Sequence, residues 1–580
     1  MPALLDTFFQ SEALIYAIAA IGFLAGAHLL QLIFRRMFRR RIHVPGTANT
    51  GRLGLVKSSA LDRRRRLLVV RRDDVEHLIV IGGPSDILVE PELFGTGDHG
   101  FYHDLYGIGE KQPGVKAKVT AHFGRIASSI HPAASRILVG PGLFPLAVLA
   151  GIGGAGAGLV VGFFRLALGI ADRFRVSLPV RWHGEPLLGL SLLIIGAATA
   201  AAISAWLVRR FSEHAVGSGI PHVEAVINGE LPPAPFILVP IKLIGGLLAI
   251  GSGFALGREG PSVQMGAKVT YLLGKTCGRN TADCRSLLAA GAGAGLAAAF
   301  NAPLAGSAFV LEELIRKFDI RDGVAALGAS GSAIVVARLL TGPAPDFIVT
   351  KVPYPGVNDN LLCIGLGVVA GLLGVVYNRV VLGALGIADR LASWPVEIRA
   401  AIIGAVVGAL AWFVPDLVGG GESLTQKTLD GAEAVTLLPF IYLFRLFLGA
   451  ASYAAGTPGG LFAPLLVLGA QMGFVFGWLS TPATADPTSH AVSFALVGMA
   501  ALFTAAVRAP LTGMILITEM TDNSRLLLPM LAACFSAMAV ATMLREPPIY
   551  DALKERSFDQ SRKKEVLQKS AAEPVHVKAH

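Results

Sequence analysis

Residues 143–544 are almost continuously apolar, and this long stretch constrains the fold more than any other feature of the sequence. In the whole chain, 53% of the residues are hydrophobic and 16% are charged, whereas a soluble domain carries roughly a quarter charged residues. Lipid must therefore replace water around most of the chain. The 68 glycines suit helices that approach closely or break within a bilayer. The sequence predicts an all-α polytopic membrane protein.

The net charge of +10 does not indicate binding to nucleic acid, because the basic residues are concentrated in a few polar segments. Nine arginines lie within residues 35–41 and 63–66. Such a cluster beside an apolar span is typical of a cytoplasmic flank. Residues 1–42 are therefore predicted to be a retained anchor that spans the membrane at 13–34, followed by its basic flank. The four cysteines show no metal-binding spacing, so no metal or cofactor is expected.

Residues 43–95 differ in character from the apolar region. Their β-branched runs are separated by Asp73-Asp74 and by Gly82-Gly83-Pro84, which predicts a small strand-rich cytoplasmic module. Together with the anchor and the arginines, the run RRDDVEHLIVIGGPSDILVE resembles flagellar export-apparatus proteins of the FliO type. Residues 96–135 are predicted to be a linker.

The apolar region divides into long runs and shorter runs that Gly or Pro interrupts. The runs long enough to span a bilayer are 143–170, 186–208, 235–256, 361–386 and 436–455. The shorter, interrupted runs are 217–230, 257–274, 300–315, 456–474 and 507–520. Short, broken segments at matching places in two halves indicate a transport site.

Two motifs recur in the same order along the apolar region. APLAG at 302–306 and APLTG at 509–513 each lead, after five residues, to a glutamate, Glu312 or Glu519. A Pro-x4-Gly-Ala pattern likewise begins at positions 261 and 464. This repetition favours an internal duplication, with a first half at 136–340 and a second at 341–555. Glu312 and Glu519, at equivalent places, are expected to be structural.

Three glycine-rich loops each stand immediately before a predicted helix. They are GSGIP at 217–221, GREGP at 257–261 and GTPGGLFAP at 456–464. Glycine lets the backbone approach a ligand closely, and the free amides of a helix N-terminus attract anions. The amides of residues 258–260 and of Leu461 and Phe462 are therefore candidate anion donors. A tight turn between helices is the alternative for the third loop.

Two side chains in these loops are candidates for chemistry. Ser218 stands where a helix begins, so its hydroxyl either faces an anion or caps the helix. Glu259 lies between two apolar stretches, where an intramembrane carboxylate costs a few kcal/mol and is usually functional. A salt bridge between Glu259 and Arg258 is the alternative.

GSGIP, GREGP and GGLFAP, in this order, resemble the three signature loops of the CLC family of chloride channels and antiporters, over about residues 140–555. The resemblance implies the CLC fold, with two inverted-topology halves of tilted, broken helices and a homodimer with one ion pathway per subunit. It implies a set of chloride-binding positions: Ser218, Arg258, Glu259, Gly260, Leu461, Phe462 and Tyr550. It also implies that Glu259 is the external gate and that Glu313, in FNAPLAGSAFVLEEL, is the internal proton-transfer glutamate.

The function that the resemblance implies is chloride/proton antiport in a bacterial inner membrane, with a cytoplasmic C-terminus and a tail at 556–580 without CBS domains. Two alternatives stay open: a passive voltage- or pH-gated chloride channel of the same fold, and a flagellar export or scaffold subunit with an appended transporter. An enzyme is not expected, because the glycine loops lack a P-loop lysine pattern and no Ser/His/Asp cluster stands out.

Three further features bear on this prediction. Glu313 has an alternative role, a solvated helix end at which it pairs with a lysine or arginine. Arg445 lies in a long apolar run and has no predicted role. Residues 171–185 contain three arginines and are expected to form an exterior loop.

Overall fold

The structure, a computed structural model, describes the backbone of residues 53–60, 66–72, 75–81, 87–90, 142–349, 357–481 and 487–572. Side chains are described for residues 142–349, 360–481 and 487–562. The chain divides into two units, Met1–Lys116 and Ala117–His580. The predicted anchor at 13–34 and the predicted linker at 96–135 lie outside the described residues.

The first unit contains a four-stranded antiparallel sheet in the order β1-β2-β3-β4. Arg72 pairs with Val75, so β2 and β3 are joined by a two-residue connection. The register of β1 against β2 shifts between Leu55 and Lys57. The strands are β1 Leu53–Ala60, β2 Arg66–Arg72, β3 Val75–Ile81 and β4 Ile87–Glu90.

The second unit is helical throughout its described part. The helices of its first half are α1 Leu143–Arg181, α2 Pro186–Phe211, α3 Ile220–Ile227, α4 Leu238–Gly251, α5 Glu259–Thr276, α6 Thr281–Phe300, α7 Pro303–Phe309 and α8 Ile320–Thr341. Those that follow are α9 Val357–Arg390, α10 Val396–Phe413, α11 Glu422–Leu429, α12 Leu438–Tyr453, α13 Phe462–Leu479, α14 Pro487–Val507, α15 Pro510–Thr521, α16 Leu527–Met543 and α17 Ile549–Ala572.

Three helices of α1–α8 have counterparts of the same or nearly the same length at the equivalent places in α9–α16. The third helix of each series has 8 residues, and the fifth has 18 residues. The sixth helices have 20 and 21 residues. This correspondence adds to the repeated motifs in favour of an internal duplication.

Equivalent helix pairs in the two series meet through glycine. A Cβ atom at Gly266 would lie 2.3 Å from the carbonyl oxygen of Gly291, where α5 crosses α6. In the second series, a Cβ atom at Gly469 would lie 2.7 Å from the carbonyl oxygen of Gly498, where α13 crosses α14. Only glycine permits backbones to approach this closely, as is common between helices in membranes.

Two glutamates join the two series of helices reciprocally. Glu312 follows α7 and accepts hydrogen bonds from the amides of Leu511 and Thr512 in α15, at 2.9 and 2.7 Å. Glu519, in α15, accepts hydrogen bonds from the amides of Leu304 and Ala305 in α7, at 3.0 and 2.8 Å. Each carboxylate satisfies two amides that the first turn of a helix leaves without intrahelical partners. The equivalent glutamates therefore have a structural role.

Seven of the described helices are long and apolar enough to cross a membrane: α1, α2, α8, α9, α10, α13 and α14. Shorter apolar helices replace two of the predicted spans, because 235–256 contains α4 and 436–455 contains α12. Conversely, the run 456–474 is predicted to be too short and broken to span, but α13 begins within it and, with 18 residues, is long enough to cross a membrane.

The predicted exterior loop at 171–185 is wrong for most of its length, because α1 continues without a break to Arg181. Arg175 is buried and pairs with Asp172 one turn earlier. Arginines at 173, 175 and 181 therefore belong to one end of a long helix.

Candidate functional site

The three glycine-rich loops meet in the interior of the second unit. The amide of Gly217 donates to the carbonyl of Thr457, at 3.0 Å, and the amide of Gly459 donates back to the carbonyl of Gly217, at 3.1 Å. Gly257 and Gly460 exchange two backbone hydrogen bonds, at 2.9 and 2.7 Å. The first and second loops are thereby each hydrogen-bonded to the third, although more than 200 residues of sequence separate the first loop from the third.

The glycines at this meeting point leave room for functional groups. A Cβ atom at Gly257 would lie 1.9 Å from a carboxylate oxygen of Glu259, and one at Gly460 would lie 2.1 Å from the other. A Cβ atom at Gly260 would lie 2.6 Å from the Cα atom of Ser218. Any larger residue at these positions would displace the Glu259 side chain or separate two of the loops.

Glu259 is fully buried where the second and third loops meet. Its Oε1 atom accepts a hydrogen bond from the amide of Phe462, at 2.6 Å. Its Oε2 atom is buried and has no hydrogen-bond partner among the described residues. Phe462 is the first residue of α13, so the carboxylate lies against the positive end of a helix dipole.

The side chain of Arg258 turns away from Glu259. Its guanidinium donates to the carbonyl of Ala299, at 2.9 Å, and to Asp346, at 3.0 Å. A third nitrogen lies 2.8 Å from Glu422. The predicted alternative, a salt bridge between Arg258 and Glu259, is wrong, because other groups on neighbouring segments take up the guanidinium.

Ser218 is fully buried immediately before α3. Its Oγ atom accepts a hydrogen bond from the amide of Ile220, at 3.3 Å. The N-cap position of this helix is occupied by Gly219, so the predicted alternative of an N-cap serine is wrong, although the Ser218 hydroxyl does accept from the first amide of the helix. This bond uses a lone pair of the oxygen and leaves the hydroxyl proton available for an anion.

Tyr550 and Phe462 belong to an aromatic cluster beside the loops. The Phe462 ring lies 5.9 Å from the Tyr550 ring and 4.7 Å from the Phe503 ring, measured between centroids. The hydroxyl of Tyr550 is buried and has no hydrogen-bond partner within the described part of the chain. Such a phenol is a free donor facing the interior. Leu461, the residue before α13, is also buried.

Glu313 lies in a π-helical turn, Val310–Leu314, that continues α7. It is 3% exposed, so the predicted alternative of a solvated helix end is wrong for its side chain. The other part of that alternative, pairing with an arginine, is present: Oε1 forms an ion pair with the guanidinium of Arg316 at 3.7 Å, too far for a hydrogen bond. That guanidinium instead bonds to Asp551, at 2.7 Å. Glu313 is therefore a buried carboxylate that shares the guanidinium of Arg316 with Asp551.

Lys242 is a buried charge that the motifs in the sequence do not include. It is fully buried in α4 and donates from its Nζ atom to the carbonyl of Gly217, at 2.7 Å. The rule that identifies Glu259, a charge alone in an apolar run, applies equally to this lysine and could have identified it.

Arg445 has no role predicted from the sequence. The structure places its guanidinium against three backbone carbonyls, those of Leu417 and Gly419 at 3.0 Å and that of Gly420 at 3.2 Å. The arginine thus fixes the glycine turn before α11. A backbone partner of this kind leaves no signal in the sequence.

The arrangement is suited to binding an anion. Helices α3, α5 and α13 all begin at the three loops, so their N-terminal amides and helix dipoles are directed to one region. Beside this region is a cavity of about 850 Å³ whose lining includes Gly217, Gly219, Tyr453 and Arg556. Weak, distributed attraction from backbone amides allows an ion both to enter and to leave.

Known proteins resemble the second unit. Residues 200–542 match the family model described as voltage gated chloride channel. The H(+)/Cl(-) exchange transporters ClcA of Salmonella arizonae and Salmonella newport are each 35% identical to this chain over 424 residues, which is 71% of this chain and 89% of theirs.

Solved structures show the same similarity. The structure of a slow cyanobacterial Cl-/H+ antiporter is 31% identical, with a TM-score of 0.67, and the match covers 72% of this chain and 99% of the antiporter. The structure of a eukaryotic CLC transporter has the same fold, with 23% sequence identity and a TM-score of 0.61. The match covers 70% of this chain and 73% of the transporter chain. The FliO-type resemblance of the N-terminal segment finds no support in these comparisons. Because the family model spans more than half of the chain, and the relatives are covered over most of their length, the chain belongs to the CLC family of voltage-gated chloride channels.

Proposed function

We propose that this chain exchanges chloride for protons across a bacterial inner membrane. The observation that carries the proposal is the fully buried Glu259 carboxylate, held by the Phe462 amide where the three loops meet. A carboxylate in that place competes with an anion for the same amide. The names of the similar ClcA proteins and of the cyanobacterial antiporter support this choice of function.

The exchange cycle follows from this competition. Glu259 takes up a proton from the external side, loses its attraction for the Phe462 amide and leaves the site. Chloride then accepts the amide hydrogen bonds that the carboxylate gave up. When Glu259 releases its proton inward and returns, it displaces chloride, so movement of one ion requires movement of the other.

The two ions leave the site on different routes. Chloride passes Ser218 and Tyr550 and enters the cavity beside α17. The proton passes to Glu313, which is buried, lies close to Arg316 and has a carboxylate oxygen without a hydrogen-bond partner in the described residues. A passive channel has no need of a buried internal carboxylate, and this favours exchange.

Further parts of the proposal concern the whole assembly. The functional unit is a homodimer with one pathway per subunit, and its α17 end faces the cytoplasm. The two series of helices have inverted topologies. Size-exclusion chromatography with light scattering tests the dimer, and protease access to the C-terminus in oriented vesicles tests the orientation.

Simultaneous measurement of chloride and proton flux in proteoliposomes tests the exchange itself. An outward chloride gradient should drive protons inward against their own gradient, and liposomes without protein are the control. A reversal potential set by chloride alone, with no proton uptake, would identify a passive channel instead.

A further inference from the structure

Tyr453, the last residue of α12, contacts the anion site from the side of the cavity. It is 6% exposed. A Cβ atom at Gly217 would lie 2.8 Å from its hydroxyl oxygen, so the phenol is seated directly against the first loop. Its hydroxyl thus lies between the cavity and Ser218.

The hydroxyl oxygen of Tyr453 lies next to the backbone of Ser218. The amide of Ser218 donates to the Tyr453 oxygen, at 3.5 Å. Ser218 Oγ accepts in addition from the amide of Ile220, at 3.3 Å. Each hydroxyl has one proton to donate.

These contacts favour one direction for the two protons. Because the Tyr453 oxygen already accepts from an amide, its own proton is available for donation to Ser218 Oγ. With that donation, Ser218 Oγ accepts from Tyr453 as well as from the amide of Ile220, and both of its lone pairs are occupied. The Ser218 proton is the remaining donor, and it is free to bind an anion.

We infer that Tyr453 is a positioning residue for chloride: it orients the Ser218 hydroxyl so that its proton is directed to the anion. This inference rests on the proposed function in that it takes chloride to bind at Ser218, but it does not require exchange for protons. The fixed orientation strengthens binding because the donor does not have to reorient when the ion arrives.

Calorimetric titration of chloride into the purified full chain tests the inference. Tyr453→Phe keeps the ring and removes the hydroxyl, and should weaken chloride binding about fivefold, the equivalent of one neutral hydrogen bond. Tyr442→Phe is the matched control: Tyr442 is also buried in α12, but its hydroxyl has no partner in the described part of the chain. The Tyr442→Phe variant should bind chloride with the affinity of the wild type.

A double-mutant cycle with Ser218→Ala separates positioning from general damage. If Tyr453 acts through the serine, adding Tyr453→Phe to Ser218→Ala should change affinity no further. An equal loss in both backgrounds, or wild-type affinity for Tyr453→Phe alone, would overturn the inference. The chloride-dependent rise in melting temperature gives a second readout in case calorimetry is limited by yield.

The outcomes also distinguish this inference from the proposed function. A wild type that takes up no protons, but whose chloride affinity depends on Tyr453 through Ser218, would overturn exchange and retain the positioning role. A wild type that exchanges chloride for protons, but whose chloride affinity does not change in Tyr453→Phe, would retain exchange and overturn the positioning role.

Discussion

At the scale of single residues, Glu259 and Phe462 form the contact on which the proposed exchange depends. Replacing Glu259 with Gln removes the charge that competes with chloride but keeps the size of the side chain. We expect chloride flux to continue, without dependence on external pH and without coupling to protons. Paired flux measurements in proteoliposomes would show this, and proton uptake retained by the purified mutant would contradict the role of Glu259.

Glu313 provides the second prediction at this scale. Glu313→Ala should abolish proton movement while chloride still flows, because Glu313 lies on the proposed route of the proton and not on that of the anion. Arg316 keeps its bond to Asp551 in the mutant, so the fold should persist. The dimer peak in size-exclusion chromatography checks the fold, and a mutant that still exchanges both ions would remove Glu313 from the proton route.

Residues differ in how far sequence alone could identify them. Glu259 and Lys242 are charges in apolar surroundings, so their sequence context is informative. Tyr453 is an aromatic residue in an apolar run, where aromatic residues are common, and its contact with Ser218 joins positions 235 residues apart. Its part in the site depends on tertiary contacts, which leave no local pattern.

At the scale of helices, the reciprocal glutamate caps hold α7 and α15 together. Glu519→Ala leaves the amides of Leu304 and Ala305 without an acceptor, which should cost about 1–2 kcal/mol. We expect a lower melting temperature in detergent with ion coupling unchanged. Glu555→Ala, at an exposed position of α17, is the control and should melt like the wild type.

The ion pairs of Arg258, in the second glycine-rich loop, give another prediction at the scale of helices. The side chain of Asp346 is 5% exposed and pairs with both Arg165 and Arg258, so Asp346→Asn should destabilise the protein by about 3–5 kcal/mol, the range for breaking a buried pair. Glu422 also pairs with Arg258, but its side chain is 52% exposed. Glu422→Gln should therefore cost at most about 1 kcal/mol. Equal losses of melting temperature would contradict this difference.

The start of a helix can be predicted where Pro or Gly residues mark it in the sequence. The Pro at the start of α7 and of α15, and the glycines before α3, mark helix starts that the structure reproduces. The far end of α1 was not predictable in this way, because three arginines indicate a polar loop. Their burial or exposure depends on partners such as Asp172, which hydrophobicity alone does not reveal.

At the scale of the whole molecule, a deletion tests whether transport requires the first unit. Removing residues 1–135 leaves the described helices intact, so we expect chloride and proton flux to be retained in proteoliposomes. Loss of motility or of complex assembly in cells, with transport preserved, would favour the scaffold alternative. Loss of both fluxes from a folded dimer would show that transport depends on the N-terminal segment.

The overall architecture was more predictable than the details of the site, because repeated motifs and apolar runs extend over hundreds of residues. The three loops by themselves indicate the family, since their order and composition are specific in combination. Local sequence does not reveal which atoms of the loops touch. The pairing of Gly257 with Gly460 depends on how helices that are far apart in the sequence pack against each other.

The reciprocal caps of Glu312 and Glu519 have a consequence for the origin of the fold. In a two-fold symmetric dimer, residue i of one chain contacts residue j of the other, and j contacts i in return. Two half-length chains would make these same two caps across their shared axis. The bonds between α7 and α15 are therefore those of an isologous dimer now contained in one polypeptide, and gene fusion would have preserved an interface that already existed.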